Sequence, residues 1–291
     1  MSGSKKETVG RRYVDMWAVA KIHPTNIELL QRLKMADDSQ FGNHMDVCGT
    51  VSEYQPKTGD WAKTWAVGIR SDIWKPDKQE IEKSLRSLKD KRKTELRKDV
   101  RKSGRLSDEQ RETLAGLIEK DSVTELTEKD IEQRRLILKL FRTTGKRMSW
   151  QGSIEELTTA EVHNSLGSKH SLLSFAAVLD GHQLVTRVEQ NHRTFRVPAV
   201  FSFSFVDERN DRIWHINILR KWFSMGADFV IEADGRPIGL IDGAMIGLGY
   251  NATIGVTDRD LGLNRDFLDL VTLFACSVGY HKAMRKSLKR R

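Results

Sequence analysis

Chemistry at a protein site needs nucleophiles, acid–base groups or metal ligands at spacings that let them converge on one point. The eight histidines are His23, His44, His163, His170, His182, His192, His215 and His281, scattered along 291 residues. No two form an HxxxH or HExxH pattern, and neither cysteine, Cys48 or Cys276, has a histidine at zinc-ligand spacing. A GxSxG elbow and a P-loop are absent. The stretch Gly243–Gly249 is rich in glycine but lacks the third glycine of a dinucleotide fingerprint, so it reads as a turn between strands. His182 and His192 with Glu189 converge only across a hairpin. Glu232, Asp234 and Asp242 lie close in sequence, but two-metal chemistry holds its ions only about 4 Å apart, and Asp234 is already accounted for by an Asp-Gly turn. Trp61, Trp65, Trp74, Trp214 and Trp222 are candidate stacking platforms for bases, although aromatic residues serve strand packing equally well. No catalytic residue, metal ligand or cofactor is assigned.

The charge pattern is more informative. Lys and Arg exceed Asp and Glu by 49 to 40, a formal +9, which favours a polyanionic partner. Six of the last ten residues are basic and none is acidic: Lys282, Arg285, Lys286, Lys289, Arg290 and Arg291. A helix C-terminus accommodates some cations through its dipole, but six exceed that need. These six are the candidate anion contacts, acting as point charges on phosphates. Arg220 and Lys221, next to Trp222 at a turn, form a second basic spot. Two cysteines cannot build a disulfide framework and point to a reducing compartment. The opening Met-Ser-Gly-Ser-Lys-Lys-Glu has no apolar signal segment, and no apolar run has the roughly 18 residues of a membrane span. The expected location is cytoplasmic, peripheral to a membrane if the partner is lipid.

These groups need a scaffold. Tyr13–Ile22 reads as a strand and Asn26–Lys34 as a short helix. Val47–Tyr54 and Trp61–Ile69 flank a Pro-Lys-Thr-Gly-Asp turn and read as a hairpin. From residue 77 the composition changes: 77–103 has no Gly or Pro and a net charge of +5, with a thin apolar stripe at helical spacing. Ser107–Gln110 resembles a capping box opening a second helix, and Thr127–Asp130 opens a third running to about Phe141. The chain thus divides into first strands (1–76), an inserted charged helical unit (77–145), and the remaining strands, a final helix and the tail (146–291). The insertion's helices are also a surface for a protein partner.

Strands return in the second half. Asp180-Gly181 joins Leu172–Leu179 to His182–Glu189 as a hairpin. Phe201, Phe203 and Phe205 alternate with serines, and Trp214, Ile216 and Ile218 answer them across the Asp207–Asp211 turn. Phe229–Ala233, Asp234-Gly235 and Ile238–Ile241 repeat the pattern 26 residues on, and Tyr250–Val256 adds a strand. Such hairpins cannot bury an apolar face alone, so they pair into one curved antiparallel sheet that closes on itself.

Phe267–Val278 is apolar on nearly every side, broken only by Asp269, Thr272 and Ser277. A helix of this kind is buried in protein or membrane. Twelve residues rise about 18 Å, short of a roughly 30 Å hydrocarbon core, and there is no charged face for lying on a bilayer. Burial inside the sheet is the remaining account. Hiding about eight such side chains contributes on the order of 12–24 kcal/mol before entropy costs.

The stretches Phe205-Val-Asp-Glu-Arg-Asn-Asp-Arg-Ile-Trp214 and Phe229-Val-Ile-Glu-Ala-Asp-Gly-Arg-Pro-Ile-Gly-Leu-Ile-Asp242, followed by the apolar helix, resemble the tubby C-terminal-like superfamily over roughly residues 201–280. The closest likeness is to its LURP-one-related and phospholipid scramblase-like members. The resemblance implies an α+β fold: a closed antiparallel barrel of about a dozen strands around a buried C-terminal helix. It also implies a non-catalytic protein of a family in which several members bind phosphoinositides or membranes. The helical insertion is not part of that family's barrel, and the cysteine-rich run and acidic calcium loop of scramblases have no counterpart here. The expected function is binding of anionic phospholipid headgroups or a membrane surface through the tail and insertion. The alternatives are nucleic-acid binding, which would weaken steeply with salt, and a nuclease or hydrolase whose site is assembled from distant residues.

Overall fold

The computed structural model describes residues 7–17, 29, 40–42, 45–70, 90, 93–94, 96–104, 106–119, 136–144, 147–157, 173–193, 196–221, 227–246 and 249–288. The chain forms two compact units, one of residues 1–72 and 135–291, the other of residues 73–134.

The first unit is a closed antiparallel barrel of twelve strands. In chain order they are β1 (Gly10–Trp17), β2 (Met45–Gln55), β3 (Asp60–Arg70), β4 (Ile137–Thr144), β5 (Arg147–Glu156), β6 (Ser174–Leu179), β7 (Thr186–Arg193), β8 (Arg196–Asp207), β9 (Arg212–Arg220), β10 (Phe229–Ala233), β11 (Arg236–Ile246) and β12 (Gly249–Val256). Every strand pairs with its sequence neighbours, and β1 closes the ring on β12 from Gly10↔Val256 to Trp17↔Gly249. Closure leaves no unpaired edge to template aggregation. Alternation places Val14, Met16, Phe203, Phe205, Ile216 and Ile218 on the buried side.

One turn shows how local chemistry sets register. Asp234 and Gly235 both take positive φ, 49° and 77°, the two-residue geometry whose twist matches that of the flanking strands. The Asp180-Gly181 turn differs from expectation. β6 stops at Leu179 and β7 begins only at Thr186, so the connection has six residues and not two. His182 explains it: its side chain turns in, only 9% exposed, against Phe205, Glu208 and Asp266 and away from the ladder.

A second correction concerns the insertion. The stretch expected to be a third helix to Phe141 is strand β4 from Ile137 onward. Leu136, Leu138 and Leu140 are buried at a spacing of two, while Lys139 turns the other way to the Gln40 carbonyl at 2.9 Å. That alternation also suits a helical stripe over a short window, and the barrel decides between them. β5, which pairs with β4 and β6, had no sequence assignment. On the outer wall of β1–β5, Trp17, Val47, Ala66, Phe141 and Met148 pack with Leu29 and Phe41 of the β1–β2 connection.

Three helices have both ends among the described residues: α1 (Asp108–Glu119), α2 (Arg259–Gly262) and α3 (Arg265–Leu288). The first lies in the second unit. Its capping box is formed, with the Gln110 backbone N–H donating to Ser107 Oγ (3.2 Å) and the Ser107 N–H to Gln110 Oε1 (3.0 Å). Residues 96–102 are helical too; the expected Asn26–Lys34 helix lies almost wholly outside the described residues. Asn264 caps α3 by accepting from the Asp266 and Phe267 N–H groups at 3.1 and 3.2 Å. Each residue from Phe267 to Ser277 is at most 5% exposed. Phe274 meets Phe175, Phe201 and Phe229 at 5.0–6.5 Å between ring centres, and Phe267 meets Phe205 at 5.3 Å. No helix among the described residues is long and apolar enough to cross a membrane.

Candidate functional site

The three polar interruptions of α3 each have an answer. Thr272 and Ser277 donate back to the Leu268 and Leu273 carbonyls at 2.6 and 2.8 Å. Asp269 accepts from Arg12 Nη1 of β1 at 2.5 Å, and the same nitrogen donates to Thr272 Oγ at 3.1 Å. Trp65 of β3 lies under the guanidinium, 4.2 Å from its ring centre. Burial pushes the Asp269 carboxyl up, with the Arg12 charge opposing it. Arg12 is wholly buried. Sequence reasoning missed it, because 257 residues separate the partners. One signal was available: Arg12, Val14 and Met16 share a strand face, so an arginine sits where an apolar residue is expected.

Arg220 and Lys221, two of the expected anion contacts, lie at the opposite end of the barrel. Arg220 ends β9 and is half-buried, and Lys221 follows it, exposed, its backbone N–H donating to the Asp228 carbonyl at 3.0 Å. The pairs Phe229↔Arg220, Phe229↔Ile241 and Ile246↔Gly249 put the end of β9 and the start of β12 at one rim. At that rim the Tyr250 ring lies against Gly279 of α3, where a Cβ would collide with it. The last turns of α3, carrying Lys282, Arg285 and Lys286, continue from there; Lys289, Arg290 and Arg291 lie outside the described residues. Arg220, Lys221 and the last turns of α3 therefore share a rim.

Ser204 Oγ is 3.4 Å from His215 Nδ1 on the neighbouring strand, both exposed. Asp234 does not complete a triad: its carboxylate takes the His215 backbone N–H (3.1 Å) and Arg212 Nη2 (3.3 Å), leaving the ring unoriented. That backbone N–H, with Arg212, holds Asp234 below the usual carboxylate range. Glu232 and Asp242 lie on strands β10 and β11 and form no metal group with Asp234, and no cluster of three His, Cys, Asp or Glu suited to a metal occurs among the described residues. His182 bridges Glu208 (3.4 Å) and Asp266 (3.7 Å), not Glu189. Trp65 and Trp214 are buried, and Trp61 is exposed beside Tyr13, Tyr54 and Arg11. Trp74 and Trp222 lie outside the described residues.

Both thiols are free and buried. Burial pushes Cys48 well up and Cys276 to about 12, so neither is a thiolate near neutrality. Iodoacetamide at pH 8 is expected to leave the native protein unmodified and to label both cysteines once the chain is unfolded. Rapid native labelling, read by mass spectrometry, would show the interior to be open.

No family model matches the chain, and neither a curated protein nor a solved structure matches it.

Proposed function

We propose a non-catalytic binding protein of tubby-like architecture, in which the barrel holds α3 as its core and presents the C-terminal basic segment to anionic phospholipid headgroups. In this reading the charged helical unit between β3 and β4 is an addition to the barrel and a further surface for the same partner. The observation that carries it is the grouping at one rim of Arg220, Lys221 and the segment bearing Lys282, Arg285 and Lys286. Clustered lysines and arginines next to a rigid element contribute about 1 kcal/mol each at an anionic bilayer. The twelve antiparallel strands and the burial of Phe267–Ser277 support the architecture.

The test is co-sedimentation with vesicles of phosphatidylcholine containing phosphatidylserine, at moderate salt. Replacing Lys282, Arg285, Lys286, Lys289, Arg290 and Arg291 by glutamine is expected to reduce vesicle binding by at least roughly tenfold, with thermal stability unchanged. Equal binding by the variant sinks the reading. Tighter binding to single- or double-stranded nucleic acid than to vesicles would replace it by the nucleic-acid alternative.

A further inference from the structure

We infer that the outer wall of β1–β3 carries a stacking site for single-stranded nucleic acid, in which Trp61 takes a base and Arg11 and Lys63 take the flanking phosphates. Trp61 of β3 meets Tyr54 of β2 at 5.5 Å and Tyr13 of β1 at 6.1 Å between ring centres, so its side chain lies across the middle strand. Even so, it remains 41% exposed. The Arg11 guanidinium is stacked 4.8 Å from the Tyr54 ring centre and 5.6 Å from that of Trp61. Lys63 follows on the same face of β3, exposed, in the cross-strand row of Ser52 and Tyr13. From β12 the Asn251 amide pins that row, accepting from the Tyr13 hydroxyl at 3.0 Å and donating to Asp15 at 2.9 Å.

Cross-strand aromatic contacts stabilise a sheet by themselves, and that accounts for the packing of Tyr13 and Tyr54. It does not account for the charge. Neither Arg11 nor Lys63 forms an ion pair among the described residues. Alternation turns Glu53 and Asp60 to the other face, and Asp15, the only carboxylate of β1, is already answered by Asn251. An exposed indole beside two cations without acidic partners matches a ligand that alternates flat aromatic groups with negative charges, as a single strand does. A phospholipid headgroup brings charge but no ring to stack. Contact with the two aromatic rings already holds the Arg11 plane, which lowers the ordering cost of binding. The wall lies toward the Gly10↔Val256 end of the barrel, away from the rim of the C-terminal basic segment, so this site does not rest on the phospholipid reading.

The experiment titrates the full chain and its six-glutamine tail variant, side by side, with a short fluorescently labelled DNA strand of mixed sequence. Anisotropy is read at several salt concentrations, with the duplex of the same sequence as control. Both proteins should bind the single strand more tightly than the duplex. In the tail variant, two phosphate contacts predict a slope of log K against log salt of about −1.4. Trp61→Ala should weaken binding at least roughly fivefold, and Trp61→Phe should recover most of the loss. Arg11→Gln removes no ion pair, so it carries the test even if Trp61→Ala unfolds the chain; it should bring the slope to about −0.7. Absence of single-strand binding at low salt, equal affinity in both Trp61→Ala and Arg11→Gln, or a duplex bound as tightly overturns the proposal. Vesicle binding lost in Trp61→Ala would assign the wall to lipid, and a dimer that Trp61→Ala dissolves would assign it to a second copy; either result overturns it too. Failure of the tail to bind vesicles alters none of these outcomes, so the two readings fail separately.

Discussion

Asp269→Ala is expected to lower the stability of the protein by about 3–5 kcal/mol, because it leaves the wholly buried Arg12 charge without its carboxylate. The loss is mostly the cost of an uncompensated charge, and that makes a sharper prediction. Replacing both partners with apolar residues of similar size, Arg12→Met with Asp269→Leu, removes the ion and its desolvation penalty together. The double variant should recover most of the loss and come within about 1–2 kcal/mol of the parent, on either side. Urea unfolding checks this: the midpoint should fall sharply for Asp269→Ala and return in the double variant, with the slope unchanged. A single variant as stable as the parent would mean that Asp269 and Arg12 do not meet in a dry interior.

The second large effect is expected at Phe274. Its ring meets three other phenylalanines from three strands, β6, β8 and β10, so truncation leaves a cavity that no one neighbour can fill. Phe274→Ala should cost about 3–5 kcal/mol. Val278, one turn further along and half-buried, should lose much less on truncation to alanine. The contrast tests the helix as core: if both substitutions cost only the few tenths typical of a surface position, α3 is not holding the barrel together. Calorimetric or denaturant unfolding of the two variants side by side decides it.

The legibility of the fold in the sequence varied with the range of the interaction. Hairpins were readable where register and turn are set locally: Phe203 and Phe205 against Ile216 and Trp214, and Asp234-Gly235 with its two positive φ values. The β4–β5 pair was not, because Leu136, Leu138 and Leu140 sit within a run whose spacing also satisfies a helix, and only pairing with β3 removes that degeneracy. The six-residue β6–β7 connection was missed for a related reason. His182 leaves the hairpin to meet Glu208 and Asp266, residues far along the chain. Of the candidate contacts, the basic segment was plain from composition, but its grouping with Arg220 and Lys221 follows from strand order.

Arg12 gives the clearest division. From the sequence alone it is the second of two adjacent arginines near a basic terminus; on β1 the first faces Tyr54 and Trp61 outside, and the second is sealed within. Alternation, turn residues and the apolar character of Phe267–Val278 are properties of neighbouring residues, so the chain itself determined a strand-rich protein with an apolar final helix and a cationic end. Which polar groups meet in the interior depends on residues more than 250 positions apart, and those pairings exist only after the ring of strands has closed. The ion pair of Arg12 with Asp269, and the unpaired donors beside it, were therefore decided by the tertiary structure, because burial and charge pairing act through space and not along the chain.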